Sequence, residues 1–153
     1  MEWLLDLITN PFLITSVSSW LVAQVFKVII HAVLNRTLDI TRLFGDGGMP
    51  SGHSATVSSL AVICALVYGT GSIEFALSAI LAIIVCHDAM GVRMETGKQA
   101  IIINELVRCF SLLTEEKLPE QKLKEFVGHT PVQVIAGVLL GMANAFVMHA
   151  ILL

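Results

Sequence analysis

Four apolar stretches, with nearly every charge confined to the segments between them, constrain this chain more than any other feature. They cover 11–34, 51–68, 73–90 and 131–153. Each approaches or exceeds the roughly 20 apolar residues that a helix needs to cross about 30 Å of hydrocarbon. That layer holds no water to satisfy exposed N–H and C=O groups, so each stretch must close its backbone hydrogen bonds within itself, as an α-helix does. Composition agrees: 56% of residues are hydrophobic and 14% charged, and mean hydropathy is +0.83. Soluble domains run at about 45–50% apolar and about 25% charged. The expected fold is all-α: a polytopic membrane helix bundle of about four transmembrane helices, formed by residues 1–153 as one domain, with an amphipathic helix on the cytoplasmic side.

The remaining segments are read against that frame of spans. Residues 1–10 place Trp3, Leu4, Leu5, Leu7 and Ile8 beside Glu2 and Asp6, the pattern of a short interfacial helix with Trp3 at headgroup depth. They lack a basic n-region and a small-residue cleavage site, so the first long stretch is expected to be a retained span. Residues 99–113 carry Ile102, Ile103, Leu106, Phe110 and Leu113 on one side and Asn104, Glu105, Arg108 and Ser111 on the other. That pattern predicts an amphipathic helix lying on the membrane or against a partner, and a homodimer is the expected assembly. Residues 114–126 read as water-soluble, with Pro119 in the first turn of a short helix and Gly128 at its C-cap. Cys64, Cys86 and Cys109 fit neither a zinc site nor a disulfide framework and are expected to be small buried hydrophobes. A net charge of −3 gives no basic excess, so nucleic acid is not an expected partner; membrane lipids are.

Loop charge sets the orientation. No Lys or Arg precedes Lys27, and the hairpin 69–72 has none. Arg36 and Arg42 follow the first span, and Arg93, Lys98, Arg108, Lys117, Lys122 and Lys124 lie between the third and fourth. The positive-inside rule then places both termini outside the cytoplasm, in a bacterial cell membrane, with 36–46 and 93–124 on the cytoplasmic side. Lys27, Ser51, Gly52, His53, Asp88, Arg93 and His129 all fall at that one face. Lys27 also shares a helical face with Gln24 and His31. A lysine in a span either snorkels to the interface or points into a polar site, and this convergence favours the site.

The stretch Gly47-Gly48-Met49-Pro50-Ser51-Gly52-His53-Ser54-Ala55 is a turn running into a helix. Pro50 suits the first position of a turn or helix. A helix N-terminus exposes unpaired N–H donors and partial positive charge, which bind phosphate. Lys27 and Arg93 are the candidate cations for its oxygens, with Ser51 and the Gly52 N–H adding hydrogen bonds. Two histidines suit phosphoryl transfer, one imidazole attacking phosphorus and the other protonating the leaving alcohol. His31 and His149 read as interfacial or packed. His87-Asp88 lacks a third and fourth ligand at helix-compatible spacing, so neither a metal nor another cofactor is expected.

Pro50-Ser51-Gly52-His53 matches a motif of type 2 phosphatidic acid phosphatases and vanadium haloperoxidases. Taken with Gln24-x-x-Lys27, Asp88-x-x-Gly91-Val92-Arg93, Gly97-x-Gln99-Ala100 and Gly128-His129-Thr130-Pro131, the chain resembles the divergent branch of that superfamily along nearly its whole length. The resemblance implies a small helical membrane protein acting on a lipid phosphate such as an isoprenoid phosphate or phosphatidate. Lys27 is then the phosphate-contacting lysine, His53 the general acid and His129 the nucleophile that carries the phosphohistidine. Three positions depart from the pattern: Leu34 and Leu123 stand where arginines are usual, and Gln133 where a carboxylate normally supports the nucleophile. Arg93 is the expected substitute for an arginine and Asp88 for the carboxylate. Without that carboxylate, a lipid-phosphate binding or transport protein is the alternative to a phosphatase.

Overall fold

In the computed structural model, which describes residues 2–37, 48–114, 123 and 128–153 apart from the Arg93 and Thr114 side chains, every regular element is an α-helix. The order is α1 (Glu2–Ile8), α2 (Pro11–Asn35), α3 (Gly52–Tyr68), α4 (Ile73–Met90), α5 (Val92–Thr114) and α6 (Pro131–Leu152). Gly47, Arg42 and, apart from Leu123 and the Thr114 backbone, the soluble segment with its expected short helix lie outside the described residues.

The helix ends follow local chemistry. Asn10 accepts from the Phe12 and Leu13 N–H groups, and Pro11 then opens α2. Ser72 caps α4 through Phe75 N. Thr130 and Gln133 cap each other at the start of α6, with Pro131 behind the cap. Each cap satisfies N–H donors that the first helical turn leaves open. Arg36 ends α2 in the left-handed region, at φ 54°.

Packing inverts the pattern of a water-soluble protein. Most of the buried positions are small or hydroxylated: Ala23, Ala55, Ala61 and Ala145 among the apolar ones, with Thr15, Ser16, Ser19, Ser54, Ser58 and Ser59 between them, and Ile63 the one large apolar side chain fully buried among the described residues. Large apolar side chains point outward, among them Val17, Leu21, Val25 and Ile29 on α2, Ile80 and Ile84 on α4, and Leu139 and Phe146 on α6. In lipid, apolar side chains gain nothing from hiding, so helices associate through close backbone packing and hydrogen bonds. The molecule is a membrane helix bundle. α2, α6 and the run of α4 into α5 are long and apolar enough to cross a membrane; α3 is apolar but stops at 17 residues.

α3 is central and packs against α2, α4 and α6. Its contact with α6 depends on two glycines. A Cβ on Gly137 would collide with the Ser51 carbonyl oxygen and stand 3.1 Å from Ser54 Cβ; one on Gly141 would collide with the Ala55 carbonyl oxygen and Ser58 Oγ. Ser58 Oγ also reaches Val138 O across this seam, at 3.3 Å. One turn further along α6, Asn144 Nδ2 donates to Ser18 Oγ at 2.9 Å and Ser19 Oγ at 2.8 Å on α2. Asn144→Leu is expected to lower the stability of detergent-solubilised protein by roughly 0.5–2 kcal/mol, the range for hydrogen bonds between membrane helices; thermal unfolding measures it. Phe12 stacks on Tyr68, centroids 5.2 Å apart, so the first turn of α2 sits level with the last turn of α3.

Two expectations change. The amphipathic helix begins at Val92, not Gln99, because Gly91 alone separates it from α4 and hydrogen bonds run through the corner, from Gly91 N to His87 O and from Glu95 N to Gly91 O. Among the described residues α5 packs only on α4, so much of its apolar side chain surface is uncovered. For the same reason the cysteines differ: Cys64 is buried in α3, but Cys86 is half-buried and Cys109 is exposed on α5.

Candidate phosphate site

The turn before α3 is fixed from two sides. Ser51 N donates to Gln133 O on α6 at 2.9 Å, and glycine at 137 lets the Ser51 carbonyl lie against α6. Ser51 is the N-cap: its Oγ accepts from Ser54 N at 3.3 Å and from the Ser54 hydroxyl at 3.0 Å, and it is fully buried. The expected hydroxyl at the helix start is thus already part of the cap, with its own proton remaining as a donor. Pro50 stands before the cap, after a cis Met49–Pro50 bond, and not in the first helical position. Gly52 and His53 open the helix, so their N–H groups belong to the first turn, which no intrahelical carbonyl satisfies.

Lys27 does not snorkel. It is 6% exposed. Its stem lies along Gly48, and its Nζ comes within 3.8 Å of where a Gly52 Cβ would be. A helical side chain leans toward the N-terminus of its own helix, which brings the ammonium to the start of α3. Eight further residues of α2 continue past Lys27 to Asn35. Beside them lies a cavity of about 220 Å³, lined by Lys27, Ile30, His31, Leu34, Asn35, Gly48, Met49 and Gln133. His31, read from sequence as packed or interfacial, borders this cavity.

The two histidines meet. The His53 and His129 rings lie 6.0 Å apart, edge to face, although 76 positions separate them in the chain. His129 is 2% exposed, and His53 is on the open side. His129 N donates to Ala89 O at 3.0 Å. That bond satisfies a carbonyl left open by the end of α4 and sets His129 one residue from Asp88, which is half-buried. Asp88 thus stands on the segment stitched to the buried histidine. Arg93 is in the first turn of α5, and its side chain is outside the described structure.

The departures from the motif also take definite positions. Gln133 Oε1 accepts from Thr130 N at 3.1 Å, so the carboxamide closes the α6 cap beside His129. The Leu123 backbone is held from both sides by the Asn104 side chain, with Leu123 N donating to Oδ1 and Leu123 O accepting from Nδ2, each at 3.0 Å. Leu34 lines the cavity wall. Among the described residues, no three His, Cys, Asp or Glu side chains gather as a metal site. Trp20, which the motifs did not single out, lies against Gly52; only the packing of α2 on α3 brings it there.

The sequence model of the divergent PAP2 family matches residues 8–144. The chain belongs to that family. The match runs from the end of α1 into α6 and contains every residue of the site above. Across 94% of its length the chain is 40% identical to the Uncharacterized membrane protein YuiD of Bacillus subtilis (strain 168), covering 97% of that protein. No solved structure matches it. Its similarity to a membrane protein and its own long apolar helices make this divergent PAP2 protein an integral membrane protein.

Proposed function

We propose that this protein is a lipid-phosphate phosphatase that hydrolyses a phosphomonoester through a phosphohistidine, with its site at the cytoplasmic face of a bacterial cell membrane. The observation that carries the reading is the meeting of His53 and His129 beside the α3 N-terminus, where the Lys27 ammonium is directed. The first-turn N–H groups and Lys27 hold the phosphoryl oxygens, with Arg93 a further candidate from α5. His129 attacks phosphorus; His53, on the open side, protonates the leaving alcohol. Water then attacks the phosphorus of the phosphohistidine, His53 takes its proton, and phosphate leaves as His129 regains its lone pair. Asp88 offsets the charge on the His129 imidazole. The substrate class is a membrane lipid phosphate such as an isoprenoid phosphate or phosphatidate. The positive loops support that face, with both termini outside.

One observation favours a second reading. Gln133 occupies the position of the usual supporting carboxylate and is engaged in the α6 cap. A neutral carboxamide does not stabilise an imidazolium, so the site would bind or carry a lipid phosphate without hydrolysing it. The test is phosphate release from lipid phosphates by detergent-solubilised protein in chelator, with vanadate as inhibitor. Vanadate-sensitive release supports the phosphatase. Saturable vanadate binding without release supports the carrier, and in that case Gln133→Glu, which keeps the cap because glutamate also completes a capping box, is expected to introduce slow release at an unchanged Tm.

A further inference from the structure

Trp20 returns to the same point of the fold as Lys27. A Cβ on Gly52 would stand 3.2 Å from Trp20 Cδ1, 3.6 Å from Trp20 Nε1 and 3.8 Å from Lys27 Nζ. The indole N–H and the ammonium therefore border one small volume at the start of α3, which a side chain at 52 would fill. Gln24 lies between them on the same face of α2, four residues from Trp20 and three from Lys27.

Trp20 and Gln24 are each incomplete as hydrogen-bonding groups. An indole nitrogen only donates, and Trp20 Nε1 gives its proton to no acceptor among the described residues. Trp20 is 37% exposed, and its Cδ1 and Nε1 are the ring atoms nearest the Gly52 position. Gln24 is 6% exposed, and its Oε1 has no hydrogen-bond partner. A buried carbonyl oxygen without a donor carries a penalty of about 1–3 kcal/mol, which a bound ligand relieves. One side of the pair thus needs an acceptor and the other a donor. A singly protonated phosphate offers both: its bare oxygens accept and its P–OH donates.

We infer that Trp20 and Gln24 are binding residues of the phosphate site, Trp20 donating to a phosphoryl oxygen and Gln24 Oε1 accepting from the protonated one. This rests on the phosphate reading above. The ligand class is a phosphate monoester bearing one proton, or its inorganic counterpart. The pair differs from the helix end and the histidines in chemistry: it reads the protonation of the phosphate, where Lys27 reads only its charge.

The experiment is calorimetric titration of the detergent-solubilised full chain with orthophosphate and with vanadate. Trp20→Phe keeps the ring and removes the N–H; Gln24→Leu keeps the volume and removes the carbonyl. Each is expected to weaken binding about tenfold, the scale of one hydrogen bond to a charged group. Gln24→Leu is also expected to raise the Tm of the ligand-free protein, because the unsatisfied carbonyl is gone. In Trp3→Phe protein, where Trp20 is the remaining tryptophan of the 2 in the chain, orthophosphate should shift the emission with the calorimetric midpoint. That readout needs no change at Trp20. Wild-type affinity in Trp20→Phe and Gln24→Leu, alongside lost affinity in Lys27→Met, would overturn the inference and leave the phosphate site standing. Absence of binding to the unaltered protein would overturn both.

Discussion

His129→Ala is expected to reduce phosphate release by roughly 10³-fold or more, since it removes the attacking group itself and not one hydrogen bond among several. The substitution leaves the backbone bond from residue 129 to Ala89 O in place, so the protein should still fold; an unchanged Tm would verify that. The exposed partner should behave differently. His53→Ala is expected to lose much of its activity on lipid phosphates, whose alkoxide leaving groups need a proton, but little on an aryl phosphate whose leaving group departs as a stable anion. His129→Ala should fail on both. Steady-state kinetics on the two substrate types therefore separates nucleophile from acid. Equal loss in both variants on the aryl phosphate would refute the assignment of roles, and full activity in His129→Ala would refute the covalent mechanism.

Gly141→Leu should be the most destabilising single change in the bundle. The atoms that its Cβ would meet include the Ala55 carbonyl oxygen, which is backbone and cannot rotate aside. α3 and α6 must move apart, which strains or breaks Ser58 Oγ to Val138 O and the Ser51 N to Gln133 O bond that fixes the site. Overpacking of a rigid core costs about 1–3 kcal/mol, and a leucine wedged between two backbones belongs at or beyond the upper end. Gly137→Ala should be milder in stability yet harsher on ligand binding, because its Cβ displaces Ser51 directly. Thermal unfolding and vanadate titration of both variants, with Leu139→Ile on the outward face as control, distinguish the two effects. A Gly141→Leu protein with the Tm of the unaltered chain would mean that the α3–α6 contact is not as close as described.

Most of the helical layout was legible because the bilayer imposes one rule on every span. The predicted stretches 73–90 and 131–153 appear as α4 and α6 to within a residue, and Asn10-Pro11, Ser72 and Thr130 cap where their side chains allow. The start of α5 was misread because the polar residues between Val92 and Gln99 look like a loop; Gly91 instead lets one helix turn a corner into the next. The site was partly legible. His53, His129 and Lys27 stand out as ionisable groups at one depth, and the structure brings all three to the start of α3. The role of Gln133 as a cap was implicit in Thr130-x-x-Gln133, a pattern that local chemistry decides. Gln24 stood out only as a polar neighbour of Lys27, and Trp20 was not distinguishable from the rest of an apolar span, since nothing in its local sequence says which face of α2 meets α3.

Sequence alone determined what each segment is. Span length, loop charge and capping residues act over a few neighbouring positions, and in a membrane they leave little choice but helices with polar groups gathered at their ends. Tertiary structure decided which polar groups meet. Gly137 and Gly141 let α3 approach α6 closely enough for Ser51 to bond to Gln133 O. His129 is tied to the end of α4, and the Lys27 ammonium turns inward to Gly52 and not out to the interface. Those outcomes depend on distances between backbones that are far apart in the chain. The chain encodes them partly through Gly137 and Gly141, whose four-residue spacing announces a close helix contact in lipid but does not say which helix makes it.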